Sequence, residues 1–205
     1  MFRPDDIFNY FLSNGEIKDE WHLPTAGRQP TKAINTPADL EVWMKSKGLG
    51  MLLTSLLTLT DSLTDTEIPK DIDPKIKHLI EVLNKLDDEI NNFATARTEK
   101  TNNRFGDPNV LKYHAWIVTQ APILLHDIGP LSVEANSYFC ESYGSSRLDF
   151  GSGHELNFLA FLIIQYKMNE TKSFANQLIK VVYARYIELV RKIIVSFNLE
   201  PAGNS

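Results

Sequence analysis

The chain has 205 residues, 43% of them apolar, and its 21 basic and 26 acidic side chains leave a formal charge of −5. That is one domain's worth of chain with enough apolar matter for a core, so wholesale disorder is excluded. Ten glycines, ten prolines and one cysteine exclude collagen-like and disulfide-scaffold chains, and the apolar run Phe158–Ile164 falls far short of the roughly 20 residues of a membrane span.

Residues 1–30 read as an extended or flexible leader, broken by Pro, Gly, Asn and Asp, with Trp21 as an anchor beside His22. The opening Met1-Phe2-Arg3-Pro4-Asp5-Asp6 carries acid early and lacks a signal or transit pattern. With a lone Cys140 this points to a reducing compartment, the cytoplasm or the nucleus. No basic stripe offers a phosphate footprint, so neither nucleic acid nor a membrane is expected as a partner.

Residues 31–205 read as one all-α domain. Thr36, Pro37 and Asp39 carry the signature of a helix start, a capping hydroxyl with an acid at the third position, ahead of an apolar stripe of Leu40, Trp43 and Met44. Gly48 and Gly50 weaken the middle of this stretch, after which Met51–Leu59 resumes, and 61–69 is a loop. Asp73 and Pro74 open an amphipathic helix with Ile76, Leu79, Ile80, Leu83, Leu86 and Ile90 on one face. Lys75, Lys77, Glu81, Lys85, Asp87 and Asp88 lie on the watered face, and His78 is placed with them.

Residues 92–107 read as a loop. A helix from Asp107-Pro108 carries Leu111, Ala115 and Val118, with Pro122 blurring its end, and a short helix spans Val133–Cys140. After a Gly/Ser-rich stretch, 143–153, come the apolar helix Leu156–Tyr166 and a final helix, Phe174–Phe197. The latter has Phe174, Leu178, Val182, Tyr186, Leu189, Ile193 and Phe197 on one face and is about 36 Å long. No strand alternation is legible.

The stretch with chemical content is Arg147-Leu148-Asp149-Phe150-Gly151-Ser152-Gly153-His154-Glu155. Two glycines flank a serine just before an apolar helix, so backbone N–H groups there can converge on an anion, and Arg147 can grip a phosphate in fork geometry. The same residues also suit an ordinary helix start whose glycines serve a tight turn. The Lys-Ser/Thr ending of a phosphate loop, the zinc-peptidase His pair and the Gly-x-Ser-x-Gly elbow are all missing. The five histidines are dispersed and Cys140 reads as a small core residue, so no metal site is expected.

These residues resemble the phosphotyrosyl phosphatase activator (PTPA) family. The resemblance is carried by Pro30–Thr36 and Asp39–Trp43, by Asn103-Arg104-Phe105-Gly106-Asp107, above all by Glu141–Glu155, and then by Phe158–Leu162 and Asn198–Gly203. It implies a helical fold with core, linker and lid parts. It also implies activation of serine/threonine protein phosphatase 2A, with the catalytic subunit and its scaffold subunit as partners. A peptidyl-prolyl cis-trans isomerase activity on a proline-containing peptide is implied as well, dependent on ATP and Mg. Carried over by position, Arg147, Ser152 (where the family usually has threonine) and Gly153 bind the nucleotide, while Asp149 and His154 shape the catalytic cleft.

Asp107 stands where asparagine is usual, and the segment 108–133 is differently patterned. The family continues past Glu-Pro-Ala-Gly into a part that carries the acidic magnesium ligands, so the resemblance implies a C-terminally incomplete chain. Exposed apolar faces on 156–166 and 174–197, and self-association through them, are then expected. A non-enzymatic phosphatase-binding module and an inactive fragment are the alternatives to the enzyme.

Overall fold

The computed structural model describes residues 29–61, 63, 67, 71–94, 106–128 and 132–202. The leader up to residue 28 with its Trp21 anchor, most of the 61–69 loop and the segment 95–105 lie outside the described residues.

The fold is all-α, as the sequence predicts. Helices run α1 Pro37–Met44, α2 Lys47–Asp61, α3 Pro74–Phe93, α4 Asn109–Leu124, a 3₁₀ turn His126–Ile128, α5 Val133–Cys140, α6 Ser152–Lys167 and α7 Lys172–Gln177. The last runs through a π-helical stretch, Leu178–Tyr183, into α8 Ala184–Ser196. Their starts are built by local side chains. Thr36 Oγ1 accepts from the Asp39 N–H (3.2 Å) while the Asp39 carboxylate accepts from the Thr36 N–H (2.8 Å), a complete capping box. Asp73, Ser132 and Thr171 cap α3, α5 and α7. The break before α2 falls at residues 45–46, ahead of the two glycines, where Ser46 Oγ accepts from the Leu49 N–H at 3.2 Å.

The core forms where α3, α4, α5, α6 and α8 meet. Phe139, Tyr143, Phe158, Phe161 and Tyr186 are fully buried at its centre, and the Phe158 and Tyr186 rings stack 3.8 Å apart. Of the buried tyrosines, Tyr113 donates to the Leu86 carbonyl and Tyr186 to the Ser142 carbonyl, both at 2.8 Å, while the Tyr143 hydroxyl has no hydrogen-bond partner among the described residues. Cys140 is buried, as expected of a core thiol.

Several sequence readings need correction. The stripe Leu111, Ala115, Val118 on α4 faces outward. Val110, Tyr113, Ile117 and Ala121 face the core instead, because burying the Tyr113 ring with its hydroxyl satisfied removes more apolar surface from water. On α1 no residue is buried, and Val42 is 73% exposed. His78 does not simply face water: its Nε2 sits 2.7 Å from the Leu124 carbonyl, tying α3 to the end of α4. Among the large apolar side chains of 156–166 and 174–197, only Leu156 and Val195 are exposed, because these helices bury their faces against α2, α3 and α5. The exposed patches expected on these two helices are therefore not present.

The final helix is not uniform. Phe174, Leu178, Val182 and Tyr186 follow one another at steps of four, which drift by about 120° around a 3.6-residue helix. The wide turns of the π stretch take up that drift and keep all four residues buried. Nor is the molecule free of strand. Asp149–Phe150 (β1) pairs in parallel with Glu200–Pro201 (β2), in the register Asp149 to Glu200 and Phe150 to Pro201.

Asp87 corrects the reading of a watered face on α3. Its carboxylate accepts from Arg185 at 2.5 Å and from Lys192, both on α8, while Arg185 Nε also donates to Asn84 at 2.8 Å. Burial works to raise the Asp87 pKa, but the Lys192 and Arg185 hydrogen bonds together outweigh it and hold the carboxyl below its ordinary value. The stabilisation is thus present above the unfolded-state pKa and is lost as pH falls through the depressed folded value. Asp87→Ala is expected to cost about 2 kcal/mol in urea denaturation at neutral pH. The gap to wild type should narrow below about pH 4.

Candidate functional site

Three separated stretches of sequence converge on the start of α6. Gly106, at φ +84°, lies against Leu148 and the Asn198 carbonyl, and a Cβ there would meet each at 3.4 Å. The Asp107 N–H then donates to the Phe197 carbonyl at 2.7 Å, and Asp107 Oδ1 accepts from the Asn109 N–H at 2.9 Å to start α4. At the end of α8 the chain reverses through Asn198, at φ +50°, a position that favours Asn or Gly. It then lays Glu200–Ala202 beside Leu148–Phe150: the Glu200 N–H donates to the Leu148 carbonyl (3.4 Å) and the Ala202 N–H to the Phe150 carbonyl (2.9 Å).

Gly151 follows directly and its backbone is extended, so its conformation does not demand glycine. Its surroundings do. A Cβ there would stand 2.7 Å from the Ala202 Cβ, closer than two carbons approach without something shifting. Gly153 is the opposite case: nothing lies within 4 Å of where its Cβ would be, and its φ is ordinary. A glycine in a helical turn gives up as much as about 1 kcal/mol against alanine. The glycines therefore divide. Gly151 serves the close approach of two backbone segments, and the structure's own packing asks nothing of Gly153. A position where neither space nor backbone needs glycine suits close approach by something outside the chain.

Ser152 and Gly153 are exposed in the first turn of α6, where N–H groups have no intrahelical acceptor. Half-buried His154 lies behind them. Its ring stacks on Phe150 (4.8 Å between centroids, 18° between planes), its N–H donates to the Gly151 carbonyl at 2.9 Å, and its Nδ1 accepts from the Gly151 N–H at 3.3 Å. Burial lowers its pKa, with His114 adding to the effect and the Gly151 backbone, Asp149 and Glu141 opposing it.

Arg147 is 74% exposed and reaches back to Asp149, itself only 15% exposed, with Nη2 2.7 Å from Oδ2. Of the five residues singled out in the sequence, the structure joins Arg147 to Asp149 and sets Ser152, Gly153 and His154 in one helical turn. Among the described residues, no hydrogen bond joins Arg147 to that turn. Sequence reasoning missed Phe150, Gly151 and Ala202 as the residues that hold the site together. The signal was there in the apparent idleness of Asn198–Gly203, a patterned stretch with no chemistry of its own. Among the described residues, no group of three His, Cys, Asp or Glu stands together to hold a metal ion, and no helix is long and apolar enough to cross a membrane.

The fold and this junction define an all-α protein whose last helix is clasped to the start of an inner one by a two-residue parallel ladder. The model of the family described as phosphotyrosyl phosphate activator (PTPA) protein matches residues 30–205, and the chain belongs to that family. Among curated relatives, the serine/threonine-protein phosphatase 2A activator 2 of Candida albicans is 31% identical over 179 residues, covering 85% of this chain and 49% of the relative. The serine/threonine-protein phosphatase 2A activator 1 of Emericella nidulans is 30% identical over 210 residues, covering 86% and 48%. The chain thus spans about half the length of these relatives. A crystal structure of the PP2A phosphatase activator Ypa1 has the same fold, with a TM-score of 0.70 at 22% identity, covering 88% of this chain and 61% of that one.

The two glycines should respond in opposite ways to alanine. Gly151→Ala is expected to lower stability by about 1–3 kcal/mol through overpacking against Ala202. Gly153→Ala should leave stability unchanged or raise it by as much as about 1 kcal/mol. Paired thermal melts of the two variants check both.

Proposed function

We propose that this chain acts on serine/threonine protein phosphatase 2A, as its relatives' names say of them, and that the exposed start of α6 is where it holds an anionic group as it does so. The observation that carries the reading is the convergence of three separated stretches on Leu148–Gly151, directly before the exposed Ser152 and a Gly153 that the chain's own packing does not require. The group implied by the resemblance is ATP. An exposed first turn, an uncrowded Gly153 and a nearby guanidinium fit its phosphates in kind: Ser152 and Gly153 would hold them through backbone N–H groups, and Arg147, oriented by Asp149, through its free edge. Bound there, the nucleotide would supply charge and order to the surface beside it. For magnesium the described residues offer no ligand cluster.

The reaction in this reading is rotation about an X–Pro bond of a peptide, against an amide barrier of about 18–20 kcal/mol. No covalent bond breaks, so the chain needs no nucleophile. It needs a surface that holds the twisted amide more tightly than either planar form, which is work for positioned N–H donors and apolar walls. The phosphatase catalytic subunit, with its scaffold subunit, is the partner, in the cytoplasm or the nucleus.

A second reading, a docking module for the phosphatase without isomerase activity, is favoured by one observation: Arg147 already has a carboxylate partner and does not reach for the turn. Against the inactive-fragment alternative stands a core that joins α3, α4, α5, α6 and α8, with α2 in a second, smaller cluster.

The test is phosphatase activation and proline-peptide isomerisation by wild type and Arg147→Ala, with and without Mg-ATP. The enzyme reading expects isomerisation above background and a loss of about tenfold in Arg147→Ala, as for a charge-assisted hydrogen bond. Background rates in every sample, with the phosphatase still captured, would replace it with the docking module.

A further inference from the structure

We propose that His154 is a positioning residue: a neutral imidazole that closes the Gly151 junction through its bare Nδ1, so that protonating it releases the start of α6 from the β1–β2 clasp. The phosphatase reading matters to this proposal only for what the turn holds. The geometry stands without it.

Two hydrogen bonds close the loop from Gly151 to His154, and they run in opposite directions. The His154 backbone N–H donates to the Gly151 carbonyl, and the Gly151 backbone N–H donates to His154 Nδ1. The second is the bond that Glu or Gln makes from the third helical position in a capping box, here made by an imidazole. A carboxylate or amide oxygen accepts that bond without changing its charge at neutral pH. An imidazole accepts it only when Nδ1 carries no proton, which places the single ring proton on Nε2. Once the ring is charged, both nitrogens bear protons and Nδ1 confronts the Gly151 N–H donor to donor.

The ring has little room to escape that conflict, because it lies flat against Phe150, a buried residue whose carbonyl accepts from Ala202 in the clasp. Turning the imidazole over in place would put a carbon where Nδ1 stands and lose the bond equally. The state of one ring is thereby tied to three things: the Gly151 N–H, the Phe150 side chain and, through Phe150 and Gly151, the contact with Ala202. The groups that bear on its charge come from every neighbouring element. The Gly151 backbone, Asp149 on β1, itself paired with Arg147, and Glu141 after α5 favour the proton. His114 on α4, whose Nε2 lies 3.2 Å from the Cys140 carbonyl, disfavours it. Burial outweighs the rest and sets the folded-state pKa below the ordinary histidine value of 6.5. The stabilisation is therefore full above that value and drains away as pH falls through it toward the depressed one.

This role is separable from a plain electrostatic one. Were His154 present to meet an anion at the turn as a cation, acid would strengthen anion binding and leave Gly151 undisturbed. The experiment follows the Gly151 amide by hydrogen exchange, corrected for the intrinsic rate, in the full chain from about pH 7.5 to about pH 5.5. Wild type is compared with His154→Gln, which keeps an acceptor that does not titrate, and with His154→Phe, which keeps the stack and removes the acceptor. Wild type should lose on the order of tenfold in protection across the range. His154→Gln should stay level, and His154→Phe should be poorly protected throughout. The ring ¹⁵N shifts of wild type alone should show the proton on Nε2 at the upper pH. Equal acid loss in wild type and His154→Gln, or a proton on Nδ1 at the upper pH, would overturn the proposal. Phosphatase activation measured on the same proteins keeps the two readings apart: its absence in all of them would remove the functional reading and leave the exchange result in force.

Discussion

The structure turns on one close approach. Gly151 and Ala202 lie so near that a single added carbon would come within 2.7 Å of its neighbour, and two backbone hydrogen bonds from Glu200 and Ala202 hold them there. A two-residue ladder is worth little by itself. It matters because of what it joins: the end of α8, the start of α6, and Gly106-Asp107 at the start of α4 all terminate in the same place. The long helices supply the burial, with Phe158, Phe161, Tyr186 and their neighbours contributing about 1.5–3 kcal/mol each on removal from water. The clasp decides how the first turn of α6 is presented. Stability and presentation thus reside in different parts of the chain, the first in the aromatic centre and the second in a handful of small residues.

That division explains why the surface at Ser152 and Gly153 can be open without cost to the fold. His154 caps the turn from behind, Phe150 fills the space beneath the ring, and Arg147 stands to one side on Asp149. What is left outward is backbone, unencumbered by side-chain bulk, on a helix held at its base. A surface of this kind is suited to an anionic partner whose contact depends on aligned N–H groups more than on a deep apolar pocket.

The all-α architecture was legible because its signals are local. Thr36-Pro37-Asp39 and Asp73-Pro74 start helices by contacts within a few residues, and Ile76 to Ile90 repeat at helical spacing with only one apolar face to bury. α4 was misread because it carries two apolar stripes, and choosing between them takes knowledge of which face meets Leu86 across the core. The π stretch was half legible: successive steps of four in 174–186 state the problem, though not its solution. Asp87 was illegible, since an acid on an amphipathic helix looks the same whether it meets water or two cations from a helix about a hundred residues away. At the site, the residue types were legible and their division of labour was not. Gly151 and Gly153 look alike in sequence, and only the position of Ala202 separates the structural glycine from the open one.

The central claim is that the clasp is an integral closure of the fold, and the amide of Ala202 reports on it directly. Its N–H is spent on the Phe150 carbonyl. Native-state hydrogen exchange should find this amide protected to the same degree as core amides of α8 such as Leu189, opening only with the whole molecule. Exchange at the rate of a frayed terminus, with α8 still protected, would contradict the account.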